Sequence, residues 1–425
     1  MPLKKHHFKG VDVLRALNGA TFIWLRLDPR RGPAHDIHRA FCRIYWQTSD
    51  FIDRTRIVAG LFFLLPALLI TAGVYTWRCG QRVYRQTGIR AWRQFLGQID
   101  AGLRFAVPPP WYYMFEFYFP THRMRASEYL YFFELKRAVY HELRRRWSQQ
   151  TTLDALSDKA LFSRHCARHG LAVVPVVAVA EKGYVTMENG GDTLPNHDLF
   201  FKPRKGAGGR DASCWYYAGA GFFQSADAKQ LTATQLLDNL RALSRESDFI
   251  VRPLVTNHPA LSELNAGALS TVRVMTCRTE SGAVVCTHAL LRMASTKGSP
   301  VDNFHKGGLA AAIELDNGVL GEATDIGWSA GSAWHTHHPV SGAAIVGFRL
   351  PLWEETLALA RQAHDAFDDQ ILVGWDIAIL ADRPALVEGN KGPDLDIIQR
   401  VYREPVGNGQ IGRSLAYYLS CPNYA

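Results

Sequence analysis

The sequence predicts an α+β protein, a mixed body of short strands and helices preceded by a helical, membrane-prone N-terminal region. Three observations predict it. Charge is lopsided: residues 1–150 hold 24 Lys+Arg against 10 Asp+Glu, and the remaining residues hold 24 against 29. An apolar run without a single charge fills residues 57–77. Beyond residue 150, short β-like runs alternate with helical ones between glycine and proline turns. With 425 residues, 47% hydrophobic and 20% charged, the chain can bury a sizeable core. That excludes a largely disordered chain, a collagen-like repeat and a small disulfide scaffold. The divisions fall as a basic N-terminal segment (1–56), an apolar membrane-associated or transmembrane helix (57–77), a basic aromatic helical lead-in (78–150) and a mixed body (151–425).

The apolar run IVAGLFFLLPALLITAGVYTW has the length of a bilayer core if it is one helix, at ~1.5 Å per residue and roughly 30 Å in all. Tyr75 and Trp77 stand at one end, where amphipathic rings favour the membrane interface. Pro66 in its middle opposes this, because proline kinks or splits a helix. Arginines flank both sides (Arg39, Arg43, Arg54 and Arg56 before; Arg78, Arg82, Arg85, Arg90 and Arg93 after), so charge asymmetry sets no orientation. They also suit a kinked or re-entrant insertion on anionic headgroups. Residues 78–147 interleave Arg with aromatics at helical spacing. With no nucleic-acid recognition module present, a face packed on membrane or protein is the preferred reading, and no nucleic acid is expected as a partner. No cleavable signal peptide, internal repeat or low-complexity linker is visible. The seven cysteines never fall in a metal-like spacing, and reduced, mostly buried thiols are expected.

In the body, SDKALFSRHCARHG reads as a helix capped at Ser157 and ended by Gly170. LAVVPVVAVA is a strand-like run broken by Pro175. In DLFFKPRKGAGGRD a strand ends at Lys202 and leads into Gly206, Gly208 and Gly209. Glycines there let backbone N–H groups approach phosphate oxygens, and the lysine adds a point charge. VGWDIAIL (373–380), a turn and ALVEGN (385–390) form a hairpin. Period two puts Glu388 and Asn390 on one face, and pairing brings Asp376 beside them. Three oxygen-bearing side chains on apolar strands suit a Mg²⁺ site that shares its ion with phosphates. Arg273 and Arg292 sit inside β-like runs, where a charge needs an anionic partner, either bound phosphate or a neighbouring acid. In NFHKGG, Asn303, His305 and Lys306 form a polar loop able to cover a nucleotide, His305 being structural on its own. No motif supports Ser-His-Asp or Cys-His catalysis.

Taken in order, these segments resemble the sugar-transfer-associated ATP-grasp family, related to alpha-L-glutamate ligases, over about residues 100–420. The resemblance runs through Lys159 to Pro175, FFKPRKGAGGRD, FIVRPLVTNHPALSELNAGALSTVRVMT, LRMA…VDNFHKGG and GWDIAIL…LVEGNKGPDLDIIQ. It implies an ATP-grasp fold, two α+β subdomains clamping ATP, with residues 151–425 as the catalytic domain. It further implies that Lys159 and Lys202 hold phosphates, that Gly206, Gly208, Gly209 and Asn303 line the nucleotide, and that Asp376, Glu388 and Asn390 hold Mg²⁺. Arg273 and Arg292 would face the γ-phosphate and the acyl intermediate. The family's hinge strand usually carries acids for adenine or ribose; here it carries Val251 and Arg252, and Glu263 is the substitute. Asp394, Asp396 and Gln399 are expected around an acceptor pocket.

The implied activity is ADP-forming ligation of a carboxylate to an amine or sugar nucleophile in polysaccharide or glycoconjugate metabolism, a lipid-linked glycan being one substrate class. The alternatives are a kinase acting on a sugar or peptide hydroxyl and a non-catalytic membrane-bound nucleotide or glycan sensor. The expected location is the bacterial inner membrane with the catalytic domain in the cytoplasm and a membrane surface as partner; a soluble cytoplasmic protein is the alternative.

Overall fold

The computed structural model describes residues 17–28, 31–206, 211–265, 267–296, 304 and 307–421. The chain forms two units. The first comprises the described part of Met1–Arg146 together with Ile326–Ala333 and Asp394–Ala425; the second comprises Trp147–Asp325 and Trp334–Pro393. The C-terminal end of the region expected as a single catalytic domain therefore groups with the N-terminal unit.

The first unit is helical. Pro33 opens the helix Pro33–Thr48, where its missing N–H goes unneeded. Asp50 caps Phe51–Phe62 by accepting from the Asp53 N–H at 2.7 Å. Leu64–Thr87 follows and ends at Gly88 in the left-handed conformation. The continuous helix expected over 57–77 is thus corrected to two helices bent by 71° at Phe63. The cause is Pro66. Its ring would clash with the carbonyl four residues back, so the break falls upstream and leaves the proline in the first turn of the second helix. Among the described residues, no single helix is long and apolar enough to cross a membrane.

The aromatic lead-in turns inward and supplies this unit's core. Tyr112, Tyr113, Phe117, Tyr129 and Tyr131 are fully buried. Phe115 lies against Tyr129 with ring centroids 4.6 Å apart, and Trp24 stacks on His38 at 4.2 Å.

The second unit holds two antiparallel sheets. The first contains β1 (Ala178–Glu181), β2 (Tyr184–Met187), β3 (Leu199–Pro203), β4 (Ser213–Gly219), β5 (Phe222–Ser225), β6 (Gln230–Thr232) and β7 (Phe249–Pro253), in the order β2-β1-β7-β3-β4-β5-β6. The second contains β8 (Thr271–Arg278), β9 (Val284–Met293), β10 (Leu309–Ile313), β11 (Leu320–Thr324), β12 (Trp334–His335), β13 (Leu372–Ile379) and β14 (Pro384–Asn390), in the order β12-β11-β10-β9-β8-β13-β14.

Each sheet buries a helix against its apolar face. Ala233–Leu243 starts at a capping box of Thr232 and Gln235 and places Leu236, Leu237 and Leu240 on the first sheet's core. Trp353–Ala366 places Leu357, Ala360 and Ala363 against Val373 and Trp375. Only the last three residues of the run 171–180 enter a strand, Ala178–Glu181, while Val173 makes a lone parallel bridge to Leu386. The helix Lys159–Arg168 is capped by Asp158, which accepts from Ala160 N and Leu161 N; Ser157 instead ends the preceding helix, Gln150–Ser157. No disulfide forms among the described cysteines. Burial pushes the Cys42 and Cys166 thiols up to about 12, as befits inert core thiols.

Candidate active site

Asp376, at the middle of β13 and only 2% exposed, organises the site. It lies directly opposite Arg273 on β8 and directly opposite Glu388 on β14. Opposed residues of antiparallel strands share a face, so the three side chains meet. Arg273 donates from Nε to Oδ1 at 2.7 Å and from Nη2 to Oδ2 at 2.8 Å, and Arg292 on β9 adds Nη1 to Oδ2 at 3.1 Å. Burial alone would raise the Asp376 pKa. The two guanidiniums overcome it and hold the carboxyl well below the usual range. Asn390, level with Gly374, completes the row and donates to the Gly374 carbonyl at 3.2 Å. The ladder shifts register between Asp376 and Ile377, leaving Val387 as a bulge.

Arg252 of β7 takes the carbonyl of that bulged Val387 at 2.9 Å. It is almost completely buried, its Nε has no hydrogen-bond partner among the described residues, and burial lowers its pKa to about 10. Beside it on β3 stands Lys202, which burial, reinforced by Arg252, drives well below the ordinary lysine range while Glu388 and Asp376 pull it back. Lys159, the first residue of its helix, donates to the Gly206 carbonyl at 2.7 Å; burial depresses it too, with Glu388 opposing. Five cations (Lys159, Lys202, Arg252, Arg273 and Arg292) thus surround two carboxylates, Asp376 and Glu388. Positive charge in such excess, with Arg252 and Arg273 buried and the other three half-buried, is costly without an anion, and the cluster is suited to a multiply charged anionic ligand.

Residues 138–410 match the sugar-transfer-associated ATP-grasp family. The chain belongs to that family. No curated protein matches at the sequence level. Among solved structures, D-cycloserine synthetase DcsG aligns at 15% identity over 63% of this chain and 72% of its own, with a TM-score of 0.35. The L-amino acid ligase from Bacillus licheniformis aligns at 10% identity over 64% of this chain and 49% of its own, with a TM-score of 0.38. The ATP-complexed D-alanine–D-alanine ligase from Bacillus anthracis aligns at 9% identity over 64% and 67%, with a TM-score of 0.35. The chain therefore spans about half the length of the amino acid ligase.

Of the residues singled out in the sequence, this ATP-grasp chain brings Lys159, Lys202, Arg273, Arg292, Asp376, Glu388 and Asn390 into one cluster. Gly206 stands beside it with a positive φ of 102°, while Gly208, Gly209, Asn303, His305 and Lys306 lie outside the described residues. Glu263 is exposed in a turn after the short helix Pro259–Leu261, with no hydrogen bond or ion pair to the cluster among the described residues.

The structure places the three residues expected around an acceptor pocket in the helical unit. Asp394 caps the helix Leu395–Tyr402 by accepting from Asp396 N at 2.9 Å. Asp396 accepts from Trp111 Nε1 at 2.7 Å and Phe132 N at 3.0 Å. Gln399 brackets Leu130, accepting from its N–H and donating to its carbonyl, both at 2.9 Å. All three belong to the helical unit, where buried polar groups must find internal partners. Arg252, read from the sequence only as a departure from the family, is the residue that reading missed. Its signal was the one used for Arg273 and Arg292, a charge inside an apolar strand.

The oxygen set fits a Mg²⁺ ion shared with phosphates. Among the described residues no three His, Cys, Asp or Glu side chains gather as a metal cage. Two carboxylates and an amide suffice for Mg²⁺, which keeps waters and takes phosphate oxygens.

Proposed function

We propose that this protein is an ADP-forming ATP-grasp ligase that activates a substrate carboxylate as an acyl phosphate for attack by an amine or another nucleophile. A polysaccharide or glycoconjugate precursor, including a lipid-linked glycan, is the substrate class that accompanies this reading. The observation that carries it is the cluster of five cations against two carboxylates drawn from both sheets of the second unit.

The substrate carboxylate oxygen bonds to the γ-phosphorus, and the bond to the β-phosphate oxygen breaks to release ADP. The nucleophile then bonds to the acyl carbon, phosphate leaves and the nucleophile's proton is given up. No protein nucleophile is needed; such transfers rest on positioning and charge neutralisation. Lys159 and Lys202 hold phosphate oxygens, their depressed pKa values recovering as anionic charge arrives. Arg252 locks the bulge of β14 and so sets Glu388. Arg273 spends its whole fork on Asp376, which makes it a positioning residue that keeps this carboxylate ionised. Arg292 touches Asp376 through one nitrogen and adds positive charge beside the reacting phosphate. Asp376, Glu388 and Asn390 would hold Mg²⁺, which would supply positive charge against the transferring phosphate.

The test is ADP release by the full-length protein with Mg-ATP, a host metabolite extract and hydroxylamine, with Glu388→Gln as control. ADP accompanied by a hydroxamate and lost in the variant supports the ligase. ADP with a stable phosphoproduct and no hydroxamate replaces it with the kinase. Failure of the wild-type protein to bind Mg-ATP would sink both enzymatic readings.

A further inference from the structure

We propose that the bent helix pair Phe51–Phe62 and Leu64–Thr87 is an in-plane docking surface for an anionic lipid bilayer, lying in the headgroup boundary without crossing it. The pair exposes Phe51, Ile52, Phe62, Phe63, Ile70 and Trp77; Phe51, Phe62 and Trp77 are each at least 80% exposed. These are side chains that a soluble surface normally hides, and they run together along two consecutive helices.

The opposite stripe of the second helix is already used. Leu68, Ala72, Cys79 and Val83 are buried, and Leu68 packs so closely on Gly102 that a methyl there would stand 2.7 Å from it. Behind them a polar network fills the space: Gln98 donates to Thr76 Oγ1 at 2.7 Å, and Tyr113 donates to Gln94 Oε1 at 3.1 Å. The helix is therefore fixed with one face on protein and the other unpartnered among the described residues. The 71° bend at Phe63 turns an apolar length that would span a membrane into a shallow wedge.

Charge selects the occupant. Residues 51–105 contain eight arginines and two aspartates. Asp53 is paired with Arg56, and Asp100 with Arg104 and Arg123. Arg78, Arg85, Arg90 and Arg93 are exposed. A second copy meeting this face would set like charge on like. An anionic bilayer supplies hydrocarbon for the aromatics and phosphate for the arginines at once.

The test is flotation of the full-length chain with vesicles of phosphatidylcholine containing phosphatidylglycerol, and with pure phosphatidylcholine. The expected result is binding to the anionic vesicles that falls at least tenfold in the combined Phe62→Ser, Phe63→Ser, Trp77→Ser variant. The combined Arg85→Gln, Arg90→Gln, Arg93→Gln variant should lose the preference for anionic lipid. Unchanged circular dichroism and melting temperature show that these exposed substitutions leave the fold intact. Bound wild-type protein should be released by an alkaline carbonate wash. Equal binding by the apolar variant, no preference for anionic lipid, resistance to carbonate, or a wild-type protein that ignores vesicles and self-associates through this face would each overturn the proposal.

Discussion

Asp376 illustrates how much one residue carries. Both its oxygens are held by guanidiniums in a buried strand, so removing Arg273 strips Oδ1 of its donor and leaves Arg292 on Oδ2 alone. Arg273→Ala should cost about 1–3 kcal/mol, read from the midpoint of chemical denaturation, and Arg273→Lys should recover little because a single ammonium cannot fork onto two oxygens. A loss within experimental error would refute the pairing. His364 makes a pH prediction. It accepts at Nδ1 from the Thr276 hydroxyl at 2.6 Å and donates from Nε2 to the Gln370 carbonyl at 2.9 Å, a neutral tautomer locked in the core. Burial lowers its pKa to about 4 from about 6.5. Between those values the unfolded chain binds the extra proton, so stability falls as pH drops through that window, by roughly 3 kcal/mol for this residue. His364→Gln should show a flatter melting-temperature profile from pH 6.5 to 4; an unaltered slope would count against the assignment.

At the scale of elements, two glycines mark close approaches that motif reading passes over. Gly389 separates Glu388 from Asn390 on β14 and faces the other way, where an added methyl would stand 2.7 Å from both Leu156 and Trp375. Gly389→Ala should therefore twist the strand that carries both residues, weakening Mg-ATP binding measured by calorimetry more than it lowers the melting temperature. In the helix Gln410–Ser420, a methyl at Gly412 would collide with the Gly407 carbonyl. Alternation along 385–390 was legible in the sequence because period two is a local property. The bulge at Val387 was not, since it exists only where Arg252 from another sheet takes the freed carbonyl. The apolar run shows the same division. Pro66 announces a break, but its place at Phe63 and its size depend on what each helix packs against.

Across the whole molecule, the chain leaves the helical unit at Arg146, rejoins it over Ile326–Ala333 and ends in it from Asp394 onward. A chain stopped after Pro393 loses the acceptor for Trp111 Nε1 and the side chain that brackets Leu130. The expected outcome is collapse of that unit, seen as a loss of helical circular dichroism larger than the removed segment itself accounts for. A truncated chain with native-like helicity would show that these bonds are dispensable. The sequence by itself determined the mixed class, the basic and acidic halves, the hairpin that carries Asp376, Glu388 and Asn390, and the ordered motifs of the family, because each rests on residues close together in the chain or on their order. Tertiary structure alone decided that the aromatic lead-in is core, that Asp394, Asp396 and Gln399 bond within the helical unit, and that Arg252 joins the cationic cluster. Those outcomes turn on which buried polar group finds a partner, and the partners are separated by a hundred residues or more.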